Sequence, residues 1–277
     1  MLKIVSHNIN GIRAFSKNKK FNKLFNLNAD IYCLQEVKCG DYDVIRECLD
    51  NSKFKGWHSF TKYSKFKKGY AGVCFVTRPG IEIINESSPE DDMMILENVS
   101  GYGMGRVATL ELKDFYIINV YSINSGNKEQ DRINFDRNLI SYLNSLDKPF
   151  VLCGDLNVCS TELDYWGDYA KAINLSPGLM EFEINDFKNL INETNSVDAF
   201  RYLYPDKREY SWVSTMVMPR VLENIKNYGW RLDYFIVNNE ISNKIIDTKI
   251  HNEINWQKYD HMPIELTLDY DYDTELA

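Results

Sequence analysis

The feature that most constrains the fold is an alternation of short apolar runs, rich in β-branched residues, with longer amphipathic segments. The length and composition of the apolar runs predict buried strands. The predicted strands are Lys3–Ser6, Ile31–Leu34, Ala71–Thr77, Val107–Leu112, Phe115–Val120, Phe150–Cys153, Arg231–Val237 and Ile264–Leu268. Lys113-Asp114 separates the fifth predicted strand from the fourth and predicts a tight hairpin.

The amphipathic segments predict helices, of which the longest carries apolar residues at helical spacing. The predicted helices are Lys19–Leu27, Asp41–Leu49, Lys128–Leu146 and Glu181–Ile191. Because the elements do not follow a strict βαβ repeat, we expect an α/β (α+β) fold with two mixed β-sheets packed together and helices outside. With no Pro/Gly/Ser-rich linker, we expect one domain over residues 1–268 and a solvated acidic tail over 269–277.

The composition excludes several classes of protein. The net charge of −8 argues against coating nucleic acid by bulk charge, although it leaves room for a local basic surface. No apolar run approaches the ~18 residues of a membrane span, and the start of the chain turns polar too soon for a secretory signal. The six cysteines include no Cys-x-x-Cys pair, which indicates buried free thiols. We therefore expect no membrane association and an intracellular protein, cytoplasmic or nuclear.

Polar residues recur where apolar strands end, and a buried strand tolerates such residues only at a rim where they converge on a cleft. Asn8 and Asn10 follow the first strand, and strand alternation predicts that they share a face. An Asn-Gly turn is the alternative interpretation. Glu36 follows the second strand, where its carboxylate would suit a hard divalent cation. A carboxylate at a helix start is the equally weighted alternative.

Asp155 and Asn157 follow the strand Phe150–Cys153 with the same spacing. An Asp accepts a proton from water and an Asn amide donates to a developing oxyanion, whereas an Asx-turn would explain only one of the two. Asp233 stands inside an apolar run and needs a buried partner. His261 is the natural partner, and Arg231 is the alternative.

Together these segments predict a metal site and a general base. The sequence contains neither a Gly-x-Ser-x-Gly elbow nor a phosphate-binding Gly-x-x-x-x-Gly-Lys loop. Metal-assisted attack of water on a phosphoester therefore remains the favoured chemistry.

At these residues the chain closely resembles the exonuclease III family of apurinic/apyrimidinic (AP) endonucleases, within the endonuclease/exonuclease/phosphatase superfamily. The resemblance runs from Ile4 to about Leu268. The motifs shared with the superfamily are Asn8-Ile9-Asn10-Gly11-Ile12-Arg13, Leu34-Gln35-Glu36, Gly154-Asp155-Leu156-Asn157-Val158 and Asp260-His261. The motifs typical of the repair branch are Asn119-Val120-Tyr121, Thr161-Glu162-Leu163-Asp164, Val197-Asp198-Ala199-Phe200-Arg201, Tyr210-Ser211-Trp212 and Gly229-Trp230-Arg231-Leu232-Asp233-Tyr234-Phe235.

The resemblance implies a four-layer α/β sandwich that binds Mg²⁺, with Mn²⁺ as a substitute. Glu36 would be the principal ligand, and the other implied members of the metal site are Asn8, Asn10, Asp155, Asn157, Asp260 and His261. The implied catalytic groups are Tyr121, Asp155, Asn157, Asp233 and His261. Asp155 would position or deprotonate the attacking water, Asn157 would stabilise the pentacovalent phosphate, and His261 would polarise a phosphate oxygen or assist the base. Whether one or two metals act stays open.

The resemblance also implies a duplex DNA partner with abasic sites or blocked 3′ ends, bound by a monomer. The basic segment Lys62–Tyr70, with its interleaved aromatics, supports phosphate contacts. Trp212, Trp230 and Leu232 would wall a pocket for a flipped-out abasic sugar, although from the residues alone they would be core. The full set of implied DNA-binding residues is Arg13, Lys38, Lys67, Lys68, Tyr70, Asn124, Asn174, Trp212, Trp230 and Leu232.

The leading hypothesis is hydrolysis of the phosphodiester 5′ to an abasic site. It leaves open whether 3′-phosphodiesterase, 3′-phosphatase or 3′→5′ exonuclease activity accompanies it. One alternative keeps the fold with another substrate: a retroelement-type endonuclease, a general nuclease or an inositol phosphatase. Another is a DNA-binding module without catalysis. The departures from the family pattern are Ser122-Ile123, Tyr165-Trp166-Gly167, Val213, Val221-Leu222-Glu223-Asn224 and Tyr259.

Overall fold

The computed structural model describes residues 1–214, 228–252 and 260–272, and within them the strands form two six-stranded sheets. The first sheet contains β1 (Leu2–Asn8), β2 (Ile31–Gln35), β3 (His58–Lys62), β4 (Val73–Thr77), β11 (Ile245–Ile250) and β12 (Ile264–Leu268). Its order is β11-β12-β1-β2-β4-β3. Tyr259 and the segment 221–224, two of the departures noted above, lie outside the described residues.

The second sheet has the order β5-β6-β7-β8-β10-β9. Its strands are β5 (Asn85–Ser87), β6 (Val107–Glu111), β7 (Tyr116–Tyr121), β8 (Phe150–Asp155), β9 (Ser196–Asp198) and β10 (Asp233–Asn238). The pairs β1/β2 and β7/β8 are parallel, while the other described pairs are antiparallel. Each sheet is therefore mixed, as predicted.

The α-helices of the described residues flank the two sheets. They are α1 (Ile12–Lys17), α2 (Lys20–Phe25), α3 (Tyr42–Asp50), α4 (Glu129–Asn144), α5 (Tyr169–Ala172), α6 (Glu181–Glu193) and α7 (Ala199–Leu203). On the first sheet, Phe54 packs against Phe21 of α2 at 5.8 Å and against Tyr32 of β2 at 4.8 Å between ring centroids. On the second sheet, Phe187 of α6 lies 4.8 Å from Tyr234 of β10. The four-layer sandwich is confirmed.

Between the sheets lies a continuous buried cluster that takes side chains from both, including Leu34 and Val151. A buried polar bridge crosses this layer. Gln35 Nε2 donates to Asn119 Oδ1 at 2.7 Å, and Asn119 Nδ2 donates to the carbonyls of Leu34 and Cys74, each at 3.2 Å. Because both side chains are fully buried, these bonds satisfy the Gln35 amide nitrogen and both polar atoms of the Asn119 amide, which would otherwise destabilise the core. The bridge fixes the ends of β2 and β7, one residue before Glu36 and two before Tyr121.

The sequence pattern missed the elements with little apolar signal. The strands β3 and β11 lie at the two edges of the first sheet, so their half-exposed residues form no apolar run. The helix α1 was also missed, and the predicted helix Lys19–Leu27 is the shorter α2.

Where the predicted solvated tail begins, Asp269 and Asp271 are exposed as expected, but Tyr270 packs against the domain. Tyr270 is only 8% exposed, and its ring lies 5.0 Å from that of Phe115. The amino group of Met1 contacts Asp271 Oδ1 at 3.0 Å. The acidic composition of the segment predicted exposure, but the packing of the aromatic side chain of Tyr270 decides where the segment lies.

Candidate active site

Sheet topology brings the predicted polar residues to one rim of the sandwich. The parallel strands β1 and β2 end together at Asn8 and Gln35, and β7 and β8 end together at Tyr121 and Asp155. The antiparallel strand β10 begins at the same edge, with Asp233 opposite Asp155. Parallel neighbours end on the same side of a sheet, and an antiparallel neighbour starts there. Residues more than 200 positions apart along the chain thus share one hollow.

His261 lies between two buried carboxylates. Its Nδ1 is 2.9 Å from Asp233 Oδ2, and its Nε2 is 3.6 Å from Asp155 Oδ2. Burial alone would lower the pKa of His261, but the negative charges of Asp233 and Asp155 outweigh it and raise that pKa to about 10. The predicted pairing of His261 with Asp233 is confirmed.

Ser211 holds this pair in place, and the sequence analysis gave it no role. Its Oγ donates to Asp233 Oδ2 at 2.7 Å and accepts the backbone N–H groups of Leu232 and Asp233, each at 3.0 Å. The alternative pairing of Asp233 with Arg231 is wrong. Arg231 instead binds Asp164, with Nε 2.7 Å from Oδ1, and also binds Asp198.

Asp155 is buried and accepts two hydrogen bonds. Asn8 Nδ2 donates to its Oδ2 at 2.9 Å, and the backbone N–H of Asn157 donates to its Oδ1 at 3.0 Å. Burial is the main cause that raises the pKa of Asp155, to about 7, because the attraction of His261 and the Asn8 bond offset it only in part. A carboxylate whose pKa lies near neutrality is suited to general-base chemistry.

The segments around Asn10 and Asn157 share one local geometry. In each, the Asn backbone N–H donates to the side chain two positions earlier. Asn10 donates to Asn8 Oδ1 at 3.1 Å, and Asn157 donates to Asp155 Oδ1 at 3.0 Å. Both Asn residues have positive φ, 48° and 49°. The prediction was that strand alternation places Asn10 on the same face as Asn8, and Asn157 on the same face as Asp155. It is wrong, because Asn10 and Asn157 lie beyond the ends of their strands. Asx-turns at the strand ends place them instead, because Asn tolerates the left-handed region.

Glu36 contacts a phenol and an ammonium group. Tyr121 Oη donates to its Oε1 at 2.6 Å, and Lys38 Nζ lies 2.5 Å from its Oε2. Lys38 Nζ also donates to Asn10 Oδ1 at 2.6 Å. Burial opposes ionisation of Glu36, but Lys38 and Tyr121 outweigh it and lower its pKa. The helix-start interpretation is wrong because Asp41 caps the next helix.

A buried arginine that the sequence gave no reason to single out fixes Tyr121. Arg106 is 1% exposed, and its guanidinium lies 4.6 Å from the Tyr121 ring centroid. It donates to the carbonyls of Tyr121 at 2.9 Å and Ser122 at 3.1 Å, and to Tyr70 Oη at 2.7 Å. The charged, planar guanidinium of Arg106 thus links Tyr70, in the basic segment Lys62–Tyr70, to Tyr121 in the site.

The pocket-wall residues lie beside the His261 group. The Trp212 and Trp230 rings are 5.3 Å apart, and Leu232 packs with them while only 6% exposed. Trp212 Nε1 donates to Asp260 Oδ2 at 3.3 Å. The structure thus places the tryptophans and Asp260 together on one side of the hollow, and their predicted contact with DNA stays a prediction.

The other predicted DNA-binding residues differ in their surroundings. Arg13, Lys67 and Lys68 are exposed. Asn124 is exposed and donates to Asn157 Oδ1 at 3.4 Å. Asn174 is exposed, but its Oδ1 accepts the backbone N–H of Glu181 at 2.8 Å, so it stabilises the start of α6.

The donor set fits a hard divalent cation. Lys38 already places a positive charge between oxygens of Glu36 and Asn10. Asp233 Oδ1 and Asp260 Oδ1 are buried and have no hydrogen-bond partner among the described residues. Carboxylate and amide oxygens are the ligands that Mg²⁺ prefers. The buried acidic and histidine groups therefore suit metal-dependent chemistry.

Among the described residues, no helix is long and apolar enough to cross a membrane.

The fold and the site define a class, the hydrolases that act with a metal at the rim of a two-sheet sandwich. The model of the Endonuclease/Exonuclease/phosphatase family matches residues 5–247. The chain belongs to this family.

The chain is similar to individual members of this family whose names describe their activities. An exodeoxyribonuclease of Bacillus subtilis is 34% identical over 96% of this chain and 99% of its own length. The DNA repair nuclease APEX1 of Danio rerio is 32% identical over 96% of this chain and 82% of its own length. The crystal structure of the AP endonuclease LMAP from Leishmania major has a TM-score of 0.79 at 25% identity, covering 98% of this chain and 88% of that one.

Proposed function

We propose that the protein is a Mg²⁺-dependent DNA repair endonuclease that hydrolyses the phosphodiester 5′ to abasic sites in duplex DNA. The observation that carries this proposal is His261 held between Asp233 and Asp155 at the rim where Glu36 and Tyr121 also meet. The names of its relatives, an exodeoxyribonuclease and a DNA repair nuclease, support DNA as the substrate.

Glu36 would be the principal residue that holds the metal, with Asn10 and Asp260 as further oxygen donors. Bound there, a divalent cation would offset the charge that builds on the phosphate. Asn8 has its amide engaged at both ends, since it donates to Asp155 and accepts from the Asn10 backbone. We therefore propose that Asn8 orients Asp155 and is not a primary ligand of the metal.

The chain's own groups then divide the work on the phosphodiester. Asp155 accepts a proton from the attacking water. Its pKa near 7 makes it a stronger base than an ordinary Asp and still leaves a large fraction of it ionised at neutral pH. His261, protonated at that pH, presents Nε2–H to a phosphate oxygen, while Asp233 fixes the ring through Nδ1. The Asn157 amide, held by the Ser122 carbonyl at 3.0 Å, donates to the developing charge.

We further propose that Trp212, Trp230 and Leu232 accept an abasic sugar, which enters such an apolar pocket more readily than an intact nucleotide. The protein would act as an intracellular monomer. Its five buried free thiols, including Cys74 with a pKa raised to about 12 by burial, favour a reducing compartment.

The proposal is tested with three DNA duplexes: one with a single abasic-site analogue, one intact and one ending in a 3′-phosphate. Each is incubated with the protein in Mg²⁺, in Mn²⁺ or in EDTA, and the products are separated by length. We expect incision only 5′ to the analogue, abolished by EDTA and restored by either metal. Equal cutting of the intact duplex would show a general nuclease, and binding without cutting would show a non-catalytic module.

A further inference from the structure

The loop after β3 presents an aromatic side chain that the catalytic proposal does not use. Phe66 is 54% exposed and stands between Lys65 and Lys67. Its ring packs edge-on against Tyr102, with centroids 5.1 Å apart. Gly101 lies directly beneath the ring, and a side chain there would collide with it. The ring is thus supported on one side and open to solvent on the other.

Phe66 ends a row of contacts that leads to the active site. Tyr102 lies 5.5 Å from Tyr70 between ring centroids, and Tyr70 Oη accepts from Arg106 at 2.7 Å. Arg106 in turn packs on Tyr121, whose hydroxyl donates to Glu36. A ligand resting on Phe66 would therefore lie next to the DNA that the active site cleaves.

The surface around Phe66 is locally positive in a chain of net charge −8. Lys65, Lys67 and Lys68 are exposed and form no ion pair with any described residue. A further cation, Lys128 Nζ, lies 5.2 Å from the Tyr102 ring centroid.

Three acidic residues of the neighbouring segments have partners other than these lysines. Asp91 pairs with Lys62 at 2.5 Å, and Asp131 accepts the backbone N–H of Ser100 at 2.9 Å. Glu90 is occupied by backbone N–H groups, the shortest of these bonds being 2.6 Å from Arg106. None of these three carboxylates therefore pairs with Lys65, Lys67 or Lys68.

Exposed aromatic rings beside ammonium groups suit single-stranded nucleic acid, because every nucleobase has a π-face and the backbone carries phosphates. We propose that Phe66, supported by Tyr102 and flanked by Lys65 and Lys67, is a stacking subsite for an unpaired nucleobase next to the duplex. A base paired in the interior of a duplex is stacked on both faces, so an unpaired base is the occupant that fits. This inference rests on the proposed function only in taking DNA as the substrate.

The test uses lesion-free DNA in EDTA, so that no cleavage occurs. A blunt duplex is compared with the same duplex carrying a short single-stranded tail that contains 2-aminopurine. Binding is measured by fluorescence anisotropy, and stacking by quenching of 2-aminopurine. We expect the protein to prefer the tailed duplex by about tenfold, the scale of one base–aromatic stack, and to quench the probe.

Phe66→Ala is expected to remove most of this preference and the quenching, while Phe66→Trp retains both. Tyr202→Ala is the matched control because Tyr202 is a similarly exposed aromatic, 51%, on α7. Equal weakening of both duplexes in Phe66→Ala, or no quenching by the unmodified protein, would overturn the subsite. Loss of abasic incision with the tail preference intact would contradict the proposed function alone.

Discussion

The catalytic proposal depends at the residue scale on charges that burial keeps strong. His261 has two carboxylates within 3.6 Å, and Glu36 has an ammonium at 2.5 Å. Because His261, Asp233 and Asp155 are buried, solvent screens their charges little, whereas the exposed end of Lys38 leaves its attraction for Glu36 partly screened. The position of Tyr121 matters equally, because its hydroxyl is the neutral donor to Glu36.

Replacing Tyr121 by Phe removes that donor while Arg106 still holds the ring. A hydrogen bond to a charged group contributes about 1.5–3 kcal/mol, so we expect incision of the abasic duplex to slow roughly ten- to a hundredfold. Single-turnover kinetics with saturating protein measures the effect. Tyr116→Phe is the matched control, since Tyr116 lies on the same strand and its hydroxyl contacts Asp147 at 2.8 Å. Equal rates in the two variants would show that the Tyr121 hydroxyl plays no part.

The sequence predicted the charged residues of the site but not the groups that position them. Glu36, Asp155, Asp233 and His261 could be identified because polar residues recur at several strand ends and because the motifs around them resemble those of a known family. Arg106 and Ser211 act through contacts between distant segments, which no local pattern encodes. Asn10 and Asn157 were identified for the wrong geometric reason, as turns and not strand alternation place them.

At the scale of elements, the interface of α4 and α6 clamps the loops that carry the site. Arg132 of α4 is 2% exposed and donates to the carbonyls of Ile123 at 2.7 Å and Leu156 at 2.9 Å. It also pairs with Asp136 at 2.5 Å and Glu183 at 3.7 Å. One guanidinium thus serves two buried carboxylates and two loops.

This crowding predicts a pH-dependent stability. Burial raises the pKa of Asp136 to about 6, and Arg132 offsets this only in part. The folded state therefore binds the proton more tightly than the unfolded state. The stability that this provides is complete below about pH 4 and is lost as the pH rises through about 6. The expected loss is up to about 3 kcal/mol at 1.36 kcal/mol per pKa unit.

Asp136→Asn should remove this part of the pH profile. Urea unfolding of both proteins between pH 4 and pH 8 isolates it, because other carboxylates titrate alike in both. The stability of the variant relative to the natural protein should rise with pH through about 6. Parallel profiles would show that Asp136 is ionised throughout.

Close packing of β7 and β8 depends on Gly154. It has φ of +139°, and a Cβ at this position would overlap the backbone carbonyl of Val120. Gly154→Ala should therefore cost roughly 3 kcal/mol or more in the free energy of unfolding. Gly56→Ala is the control, since Gly56 also has positive φ but nothing lies within 4 Å of its Cβ position. Its expected cost is about 1 kcal/mol. Equal costs in chemical denaturation would contradict the close approach.

For the whole molecule, strand periodicity predicted two mixed sheets with outer helices, and the structure confirms this. The strand order could not be predicted, because it depends on pairings between distant segments such as β1 with β12. Edge strands were missed for lack of an apolar run, and the beginning of the tail was misplaced because its charges concealed Tyr270.

The packing of the tail predicts a stability effect away from the active site. Tyr270→Ala removes a ring that is 8% exposed and should lower the free energy of unfolding by about 1.5–3 kcal/mol. Tyr202→Ala, at 51% exposure, should change it by less than about 0.5 kcal/mol. Thermal or urea unfolding compares the two variants. Similar small effects would show that Tyr270 is not held in solution.

The central claim is that Asp155 is the general base at a site built from both sheets. The most direct test is the single-turnover incision rate of an abasic-analogue duplex by Asp155→Asn in Mg²⁺, with DNA binding measured in parallel. The account predicts a loss of at least about a hundredfold in rate, with the dissociation constant changed by less than about threefold. A variant that cuts within about threefold of the natural rate would contradict the account.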